Sequence, residues 1–235
     1  MSAPVIPNFG QGSSCVQGDH TFCPDWVRQH WGDILQPALV QHLELTAIAV
    51  VIGFAIAFPL ALAAHRYGRL EQPIGIVSAL IYTIPSIALF ILLVPFTGIT
   101  RTTVEIALVG YTLVILFPNF VAGLRSAPPE VLEAARGMGL TPRQVLTRVE
   151  LPLALPAIIG GLRIAVVSTI SIATIAAFLL PQGLGYPIFT ALKDPTPFKT
   201  EIYSAGALAV GLALTCDFLL IGARRALVPW LRVRQ

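Results

Sequence analysis

Five long apolar stretches alternate with short polar connections along the chain. They cover about residues 43–65, 73–98, 104–124, 156–180 and 202–223. Each is long enough to cross a hydrocarbon layer about 30 Å thick, which takes roughly 20 apolar residues. Because backbone N–H and C=O groups cannot stay unpaired in lipid, we expect each stretch to be a helix. The pattern predicts an all-α integral membrane protein with five transmembrane helices.

The composition agrees with a lipid environment. Of the 235 residues, 55% are hydrophobic and 11% are charged, and the mean hydropathy is +0.79. Soluble domains carry about a quarter charged residues, so this chain lacks the charge to cover a water-facing surface. Its net charge of +3 is too small to indicate nucleic-acid binding. The composition therefore argues against an ordinary soluble enzyme, a nucleic-acid binder and a disordered segment.

Basic residues are distributed unevenly between the two sides of the predicted bundle. Connections after the first and third stretches, together with the C-terminal segment, hold ten of them, against four on the other side. Since the side richer in Lys and Arg is normally cytoplasmic, we predict an outside N-terminus and an inside C-terminus, with 226–235 as a cytoplasmic basic tail. The ten are Arg66, Arg69, Arg125, Arg136, Arg143, Arg148, Arg224, Arg225, Arg232 and Arg234.

Residues 1–40 are predicted to form an extracytoplasmic tail. They lack the basic and apolar regions of a signal peptide. Trp26 and Trp31 among polar residues indicate a short helix at the membrane interface; an irregular tail is the alternative. Cys15 and Cys23 fall on the predicted outer side, where disulfides persist. We expect a disulfide between them, with two free thiols as the alternative.

The connection at 125–152 carries the clearest local signals. The proline pair at 128–129 is suited to opening a helix, because the first helical N–H groups have no partner. Gly139 is suited to ending that helix. Thr141 and Gln144 form a capping-box pattern that starts a second helix. The shared face of the first helix, by three- and four-residue spacing, consists of Val131, Ala134 and Met138.

This connection resembles the EAA loop of the permeases of bacterial ABC importers. In that family the loop lies between the third and fourth helices and docks on the ATP-hydrolysing subunit as a coupling helix. The alternative is an amphipathic helix that lies on the lipid headgroups. Val149 stands where the family has isoleucine. The resemblance assigns coupling to Glu133, Ala134, Ala135, Gly139, Leu151 and Pro152.

Other motifs over residues 41–225 resemble the osmoprotectant branch of the family, whose cargo is glycine betaine, choline or carnitine. The matching motifs are Gln41-His42-Leu43, Ile84-Pro85-Ser86 and Gly183-Leu184-Gly185. The departures are Leu180-Pro181-Gln182, where the branch often has a glycine-rich stretch, and Ile115 and Pro118, where it often has Pro and Arg.

The resemblance implies a permease subunit of an ATP-driven importer in the bacterial cell membrane. The cargo is then a small quaternary ammonium osmolyte delivered by an extracytoplasmic binding protein. The resemblance also implies a second permease subunit, identical or paralogous, and two ATP-binding subunits that hold ATP and magnesium. ATP-driven closure of those subunits pulls the coupling helices and opens the pathway outward, and hydrolysis resets it.

Polar side chains within the apolar stretches are the candidates for a translocation pathway. They either line such a pathway or hydrogen-bond helix to helix. Asp217 lies within the fifth stretch, where a functional role, a neutral carboxyl or a position near Arg224 remain open. Arg163 is expected to extend towards the headgroups, and the four histidines are expected at the interface or in solvent. The pathway candidates are Tyr82, Ser86, Asn119, Ser168, Ser171 and Thr174.

No catalytic or metal-binding motif is evident. HExxH, GxSxG, CxxC and the phosphate-binding GxxxxGK[ST] are absent, so we assign no catalytic residue and no metal ligand. Within the family, the alternative cargoes are methionine, another amino acid or a phosphonate. From a different class, the chain could be a secondary transporter or channel subunit. That class favours mid-membrane carboxylates and inverted repeats, whereas five stretches cannot divide into equal halves.

Overall fold

The computed structural model describes residues 21–193 and 198–230, and these residues form helices and no strands. Single-turn π-helices at Trp31–Leu35 and Leu146–Glu150 lead directly into longer helices. Short 3-10 turns occupy Gly68–Leu70 and Ala176–Phe178. The α-helices are α1 (Pro24–Gln29), α2 (Gln36–Arg66), α3 (Glu71–Thr83), α4 (Ser86–Thr97), α5 (Arg101–Leu124), α6 (Pro129–Gly137), α7 (Pro142–Val145), α8 (Leu151–Ile175), α9 (Gly185–Lys193) and α10 (Lys199–Leu227).

Four continuous helical segments in the described part of the chain are long and apolar enough to cross a membrane. They are Trp31–Arg66, Arg101–Leu124, Pro142–Phe178 and Lys199–Leu227. They include the predicted first, third, fourth and fifth stretches. The all-helical prediction is therefore confirmed, and the second stretch differs from the other four.

The second apolar stretch is a broken helix. Its two parts, α3 and α4, meet at an angle of 102°. Ile84 is extended, with ψ 123°, and Pro85 follows with ψ 139°. Proline has no N–H to donate and disfavours the helical conformation of the residue before it, so the helix ends at Thr83 and restarts at Ser86. The bent pair starts where Glu71 pairs with Arg125 and leads to Arg101, which pairs with Glu44 of α2, so its two ends lie at opposite ends of the bundle.

Helix α5 lies between α2 and α8 at the centre of the bundle. A Cβ atom on Gly53 of α2 would lie 2.6 Å from Cγ2 of Thr112 on α5. The Thr112 and Thr169 hydroxyls are 3.1 Å apart and join α5 to α8. A Cβ atom on Gly161 of α8 would likewise lie 2.6 Å from Cβ of Asn119. In lipid the hydrophobic effect does not drive helices together, so association depends on close packing. Small residues allow the helix backbones to approach closely enough for that packing.

Three predicted boundaries fall inside continuous helices. The limit at residue 40 lies within Trp31–Arg66, the limit at residue 152 within Pro142–Phe178, and the limit at residue 226 within Lys199–Leu227. Helices extend beyond the hydrocarbon layer, so the polar residues that follow or precede an apolar stretch do not end them. Trp26 of α1 is buried and packs edge-on against Phe198 at 5.1 Å between ring centroids. It therefore contacts the protein rather than the headgroups.

His42 is fully buried, which contradicts the prediction of an interface or solvent position. Its Nδ1 accepts a hydrogen bond from the Leu184 N–H at 3.2 Å, and its Nε2 lies 3.1 Å from the Ile170 carbonyl oxygen. Gln41 Oε1 accepts from the Gly183 N–H at 3.1 Å. These bonds bring the Gln41-His42 and Gly183-Leu184-Gly185 motifs together. We call this group of five residues the His42 cluster.

Candidate functional site

The first helix of the 125–152 loop, α6, ends as its sequence predicts. Gly139 has a φ of +80°, a conformation that glycine adopts without a side-chain penalty. Its N–H bonds to the Arg136 carbonyl at 2.9 Å, and the Leu140 N–H bonds to the Ala135 carbonyl at 3.2 Å. This pair of bonds is a Schellman motif, which satisfies the last carbonyl groups of a helix.

The second helix starts at the predicted capping box. Thr141 Oγ1 accepts from the Gln144 N–H at 3.4 Å, and Gln144 Oε1 accepts from the Thr141 N–H at 2.8 Å. From Pro142 the helix continues into α8, with one π turn before Pro152. Proline adds no N–H to the backbone ladder. Leu151 packs on the core between α2, α5 and α8, and Pro152 is half-buried.

Helix α6 presents an apolar stripe to the outside of the subunit. Val131 is 41% exposed and Met138 is 73% exposed, and Ala134 and Glu133 are exposed as well. Ala135 is only 2% exposed, so its side chain packs within the chain. Ala135 thus helps to hold α6 against the rest of the subunit, and its assignment to coupling stays a prediction. We call Val131, Ala134 and Met138 the α6 stripe.

Two polar side-chain contacts connect the loop region to neighbouring helices. The His65 Nε2 and Glu150 Oε2 atoms are 3.0 Å apart and join the end of α2 to the helix that leaves the loop. Arg125 Nη1 lies 2.5 Å from Glu71 Oε2 and joins the start of the loop to α3. His65 is thus held by the protein rather than by solvent or headgroups.

Four of the six predicted pathway residues line one cavity of about 430 Å³, namely Tyr82, Ser86, Ser168 and Ser171. The Tyr111 side chain also lines it, and its hydroxyl donates to the Ile84 carbonyl at the break between α3 and α4. The break therefore forms part of the cavity wall.

Two further cavities extend this surface. A cavity of about 550 Å³ shares Tyr82 with the first one, and a cavity of about 630 Å³ shares Ser168 with it. Asn119 lines both of these. Thr174 is not among the lining residues of the three, and its hydroxyl donates to the Ile170 carbonyl at 3.0 Å. We call the groove formed by the three cavities, across α3, α5, α8 and α10, the pathway face.

Sequence reasoning missed an ion pair on the pathway face. Arg163 of α8 donates to Asp217 of α10 through Nε at 2.7 Å and through Nη2 at 2.9 Å. Arg163 therefore does not extend to the headgroups, and Asp217 pairs with Arg163 rather than lying beside Arg224. The sequence did contain a sign of this pair. Two otherwise apolar stretches each carry one charged residue of opposite sign, and because an isolated charge in a membrane is costly, the two charges are expected to pair.

The cysteines and metal ligands add little to the site. Cys15 lies outside the described residues, and Cys23 is fully buried next to Trp26 and Leu35, so the disulfide stays a prediction. Cys216 in α10 is a free, half-buried thiol. Within residues 21–193 and 198–230, no three His, Cys, Asp or Glu side chains are grouped to hold a metal ion.

Known proteins resemble this chain over most of its length. The choline transport system permease protein OpuBB of Bacillus subtilis is 34% identical over 206 residues, which are 87% of this chain and 93% of that protein. The osmoprotectant import permease protein OsmW of Salmonella typhimurium is 37% identical over 195 residues, 80% of this chain and 89% of that protein.

Solved structures share the fold. An inward-facing structure of the MetNI methionine ABC transporter matches with a TM-score of 0.75 at 20% identity, covering 85% of this chain and 98% of that one. The family of binding-protein-dependent transport system inner membrane components matches residues 49–233. The chain therefore belongs to that family and is a multi-pass inner-membrane permease of the ABC importer class.

Proposed function

We propose that this chain is the permease subunit of an ATP-driven importer for a small quaternary ammonium osmolyte, such as glycine betaine, choline or carnitine. The names of the relatives support this cargo, and the α6 stripe supports the mechanism. The likeness to the methionine transporter is a likeness of fold at 20% identity. Methionine, another amino acid or a phosphonate is therefore the weaker candidate.

The observation that carries the proposal is the exposed α6 stripe on a short helix joined to the membrane helices. An exposed apolar surface of this kind is typical of a contact with another protein. Helix α6 belongs to the connection that carries Arg125, Arg136 and Arg143, which supports an α6 position on the Arg-rich side of the bundle. We assign the stripe to docking on an ATP-binding subunit, which holds ATP and magnesium. That partner subunit then hydrolyses the ATP.

A second permease subunit, identical or paralogous, would cover the pathway face. The face is an open groove with both apolar and polar lining, and a second copy of the groove turns it into an enclosed passage. An extracytoplasmic binding protein delivers cargo at the opposite end. ATP-driven closure of the two ATP-binding subunits moves α6, and the contacts from Glu150 and Arg125 pass this movement to α2 and α3.

Reconstitution of the complete transporter tests the cargo. The permease is co-expressed with the genes beside its own, purified with its partners and placed in proteoliposomes. We expect ATP-dependent uptake of radiolabelled glycine betaine, choline or carnitine, together with stimulated ATP hydrolysis. Uptake of methionine with none of these three would reject the proposed cargo and leave the importer class in place.

Single cysteines test the predicted orientation. Gly68 and Thr102 are exposed at opposite ends of the bundle, and Gly68 has open space around it. In a background with Cys15, Cys23 and Cys216 replaced by serine, we expect Thr102→Cys to react with an impermeant thiol reagent in intact cells, and Gly68→Cys to react only after the membrane is opened. The reverse pattern would show that the N-terminus is inside.

A further inference from the structure

The Arg163–Asp217 pair lines the pathway face. Both side chains line the 630 Å³ cavity of the pathway face together with Asn119 and Ser168. The two side chains are 29% and 24% exposed, so the charges border the groove rather than being enclosed between α8 and α10. Ionised side chains within membrane helices are costly and normally face a bundle interior or a water-filled cavity. The pair occupies such a position.

Hydrogen-bond capacity remains on both partners. A guanidinium group has five N–H donors, and the bonds to Asp217 use one on Nε and one on Nη2. Three donors are left, two of them on Nη1. Each carboxylate oxygen of Asp217 accepts one of these bonds and has a further lone pair. A ligand in the cavity therefore meets a donor group and an acceptor group side by side.

We propose that this pair is a cargo subsite that selects zwitterions over simple cations. The carboxylate of a zwitterionic osmolyte lies against the free N–H groups of Arg163. Its quaternary ammonium group lies against the outer lone pairs of Asp217. The cargo dipole and the ion pair are then antiparallel, and each of the four charges faces its opposite. A cation without a carboxylate gains the contact with Asp217 but is repelled by Arg163 beside it.

The subsite suits transport as well as selection. The ion pair has no net charge, so a zwitterion enters without leaving a net charge in the membrane. The side chains are already paired with each other, so the cargo adds to a bond rather than filling an empty charged site. Binding is therefore moderate, as passage through the membrane requires. This inference rests on the function proposed above and specifies which of its cargoes the chain prefers.

The test uses the complete transporter in proteoliposomes with labelled glycine betaine and labelled choline as probes. The double variant Arg163→Gln/Asp217→Asn removes both charges and retains amide groups that hydrogen-bond α8 to α10. The control Arg101→Gln/Glu44→Gln removes the ion pairs of Arg101 with Glu44 at 3.2 Å and with Glu105 at 3.7 Å, neither of which is on the pathway face. Co-purification of the ATP-binding subunits measures assembly in both.

For the first double variant we expect the KM for glycine betaine to rise about tenfold or more, because charge-assisted hydrogen bonds to the carboxylate are lost. The KM for choline changes by less than about threefold, because choline loses its attraction to Asp217 and its repulsion by Arg163 together, and the two losses largely cancel. The control leaves both KM values unchanged. Equal changes for both probes, or reduced assembly with no change in their ratio, would show that the pair only joins two helices.

The outcome for the unmodified transporter separates the two proposals. Uptake of none of glycine betaine, choline and carnitine would reject the proposed cargo and this inference with it. Uptake of at least one probe, combined with an unchanged betaine-to-choline preference in the double variant, would reject the inference alone.

Discussion

The 125–152 loop and the His42 cluster both depend on glycines, and they do so for different reasons. Gly139 has a φ of +80° and no atom within 4 Å of the position a Cβ would take. Gly183 has a φ of +73°, and its Cβ would lie 2.9 Å from His42 Nδ1. Gly185 would place a Cβ 1.9 Å from the Thr174 carbonyl oxygen. Gly139 is needed for the conformation of its own backbone. Gly183 and Gly185 are needed because a side chain there would collide with His42 and Thr174 of other helices.

The conformation of the loop is determined by residues that are neighbours in the sequence, whereas the conformation of the His42 cluster is determined by the packing of separate helices. The turn at Gly139 is closed by bonds to Ala135 and Arg136, within five residues. The bonds of the His42 cluster join positions 142 residues apart. Substitutions in the loop should therefore affect assembly and coupling, whereas substitutions in the His42 cluster should affect the fold itself.

The largest effect is expected from Gly185→Ala. The added methyl group meets a backbone carbonyl oxygen that cannot rotate away, so α8 and α9 must separate. We expect a loss of at least about 4 kcal/mol of stability and little permease in the membrane. Gly206→Ala in α10 is the control, because nothing lies within 4 Å of its Cβ position. The yield of each variant after detergent extraction and its elution volume in size-exclusion chromatography are the measurements. Equal, normal yields of the two variants would contradict the close packing of Gly185 on α8.

The second largest effect is expected from Ala134→Trp. The bulky ring lies at the centre of the α6 stripe and keeps the ATP-binding subunit away, so uptake falls by at least about tenfold. Ala55→Trp on the exposed surface of α2 controls for the effect of the ring on membrane insertion. Co-purification of the ATP-binding subunits with each variant is the measurement. Full assembly with Ala134→Trp would mean that α6 lies on the headgroups instead.

Gly139→Val should have a moderate effect on stability. A β-branched residue at positive φ costs about 1–2 kcal/mol, which lowers the melting temperature of a chain this size by about 2–8 °C. Gly137→Val is a close control, since Gly137 is equally open but lies within α6 at ordinary φ. Thermal melting in detergent compares the two. Equal melting temperatures would show that the turn at Gly139 adjusts without cost.

The sequence predicted those features that neighbouring residues determine. The helix end at Gly139 and the capping box at Thr141 follow from side chains and backbone within a few positions, and both are confirmed. Burial of His42 and the Arg163–Asp217 pair depend on how separate helices pack, so polarity alone suggested solvent and headgroups. The break at Pro85 is an intermediate case, because proline interrupts a helix locally but the angle depends on the packing of α3 and α4 on α5.

The smallest effect is expected on the pathway face, from Ser168→Ala. Ser168 lines two of the three cavities, so its hydroxyl is placed to hydrogen-bond passing cargo or the water around it. Loss of one neutral hydrogen bond raises the KM for the transported osmolyte about threefold, and assembly and stability stay unchanged. Thr174→Val is the control, because the Thr174 hydroxyl is already bonded to the Ile170 carbonyl. This substitution should leave the KM unchanged. Uptake measured against cargo concentration gives both values. A KM that rises for Thr174→Val and not for Ser168→Ala would place the pathway nearer the His42 cluster than the groove between α8 and α10.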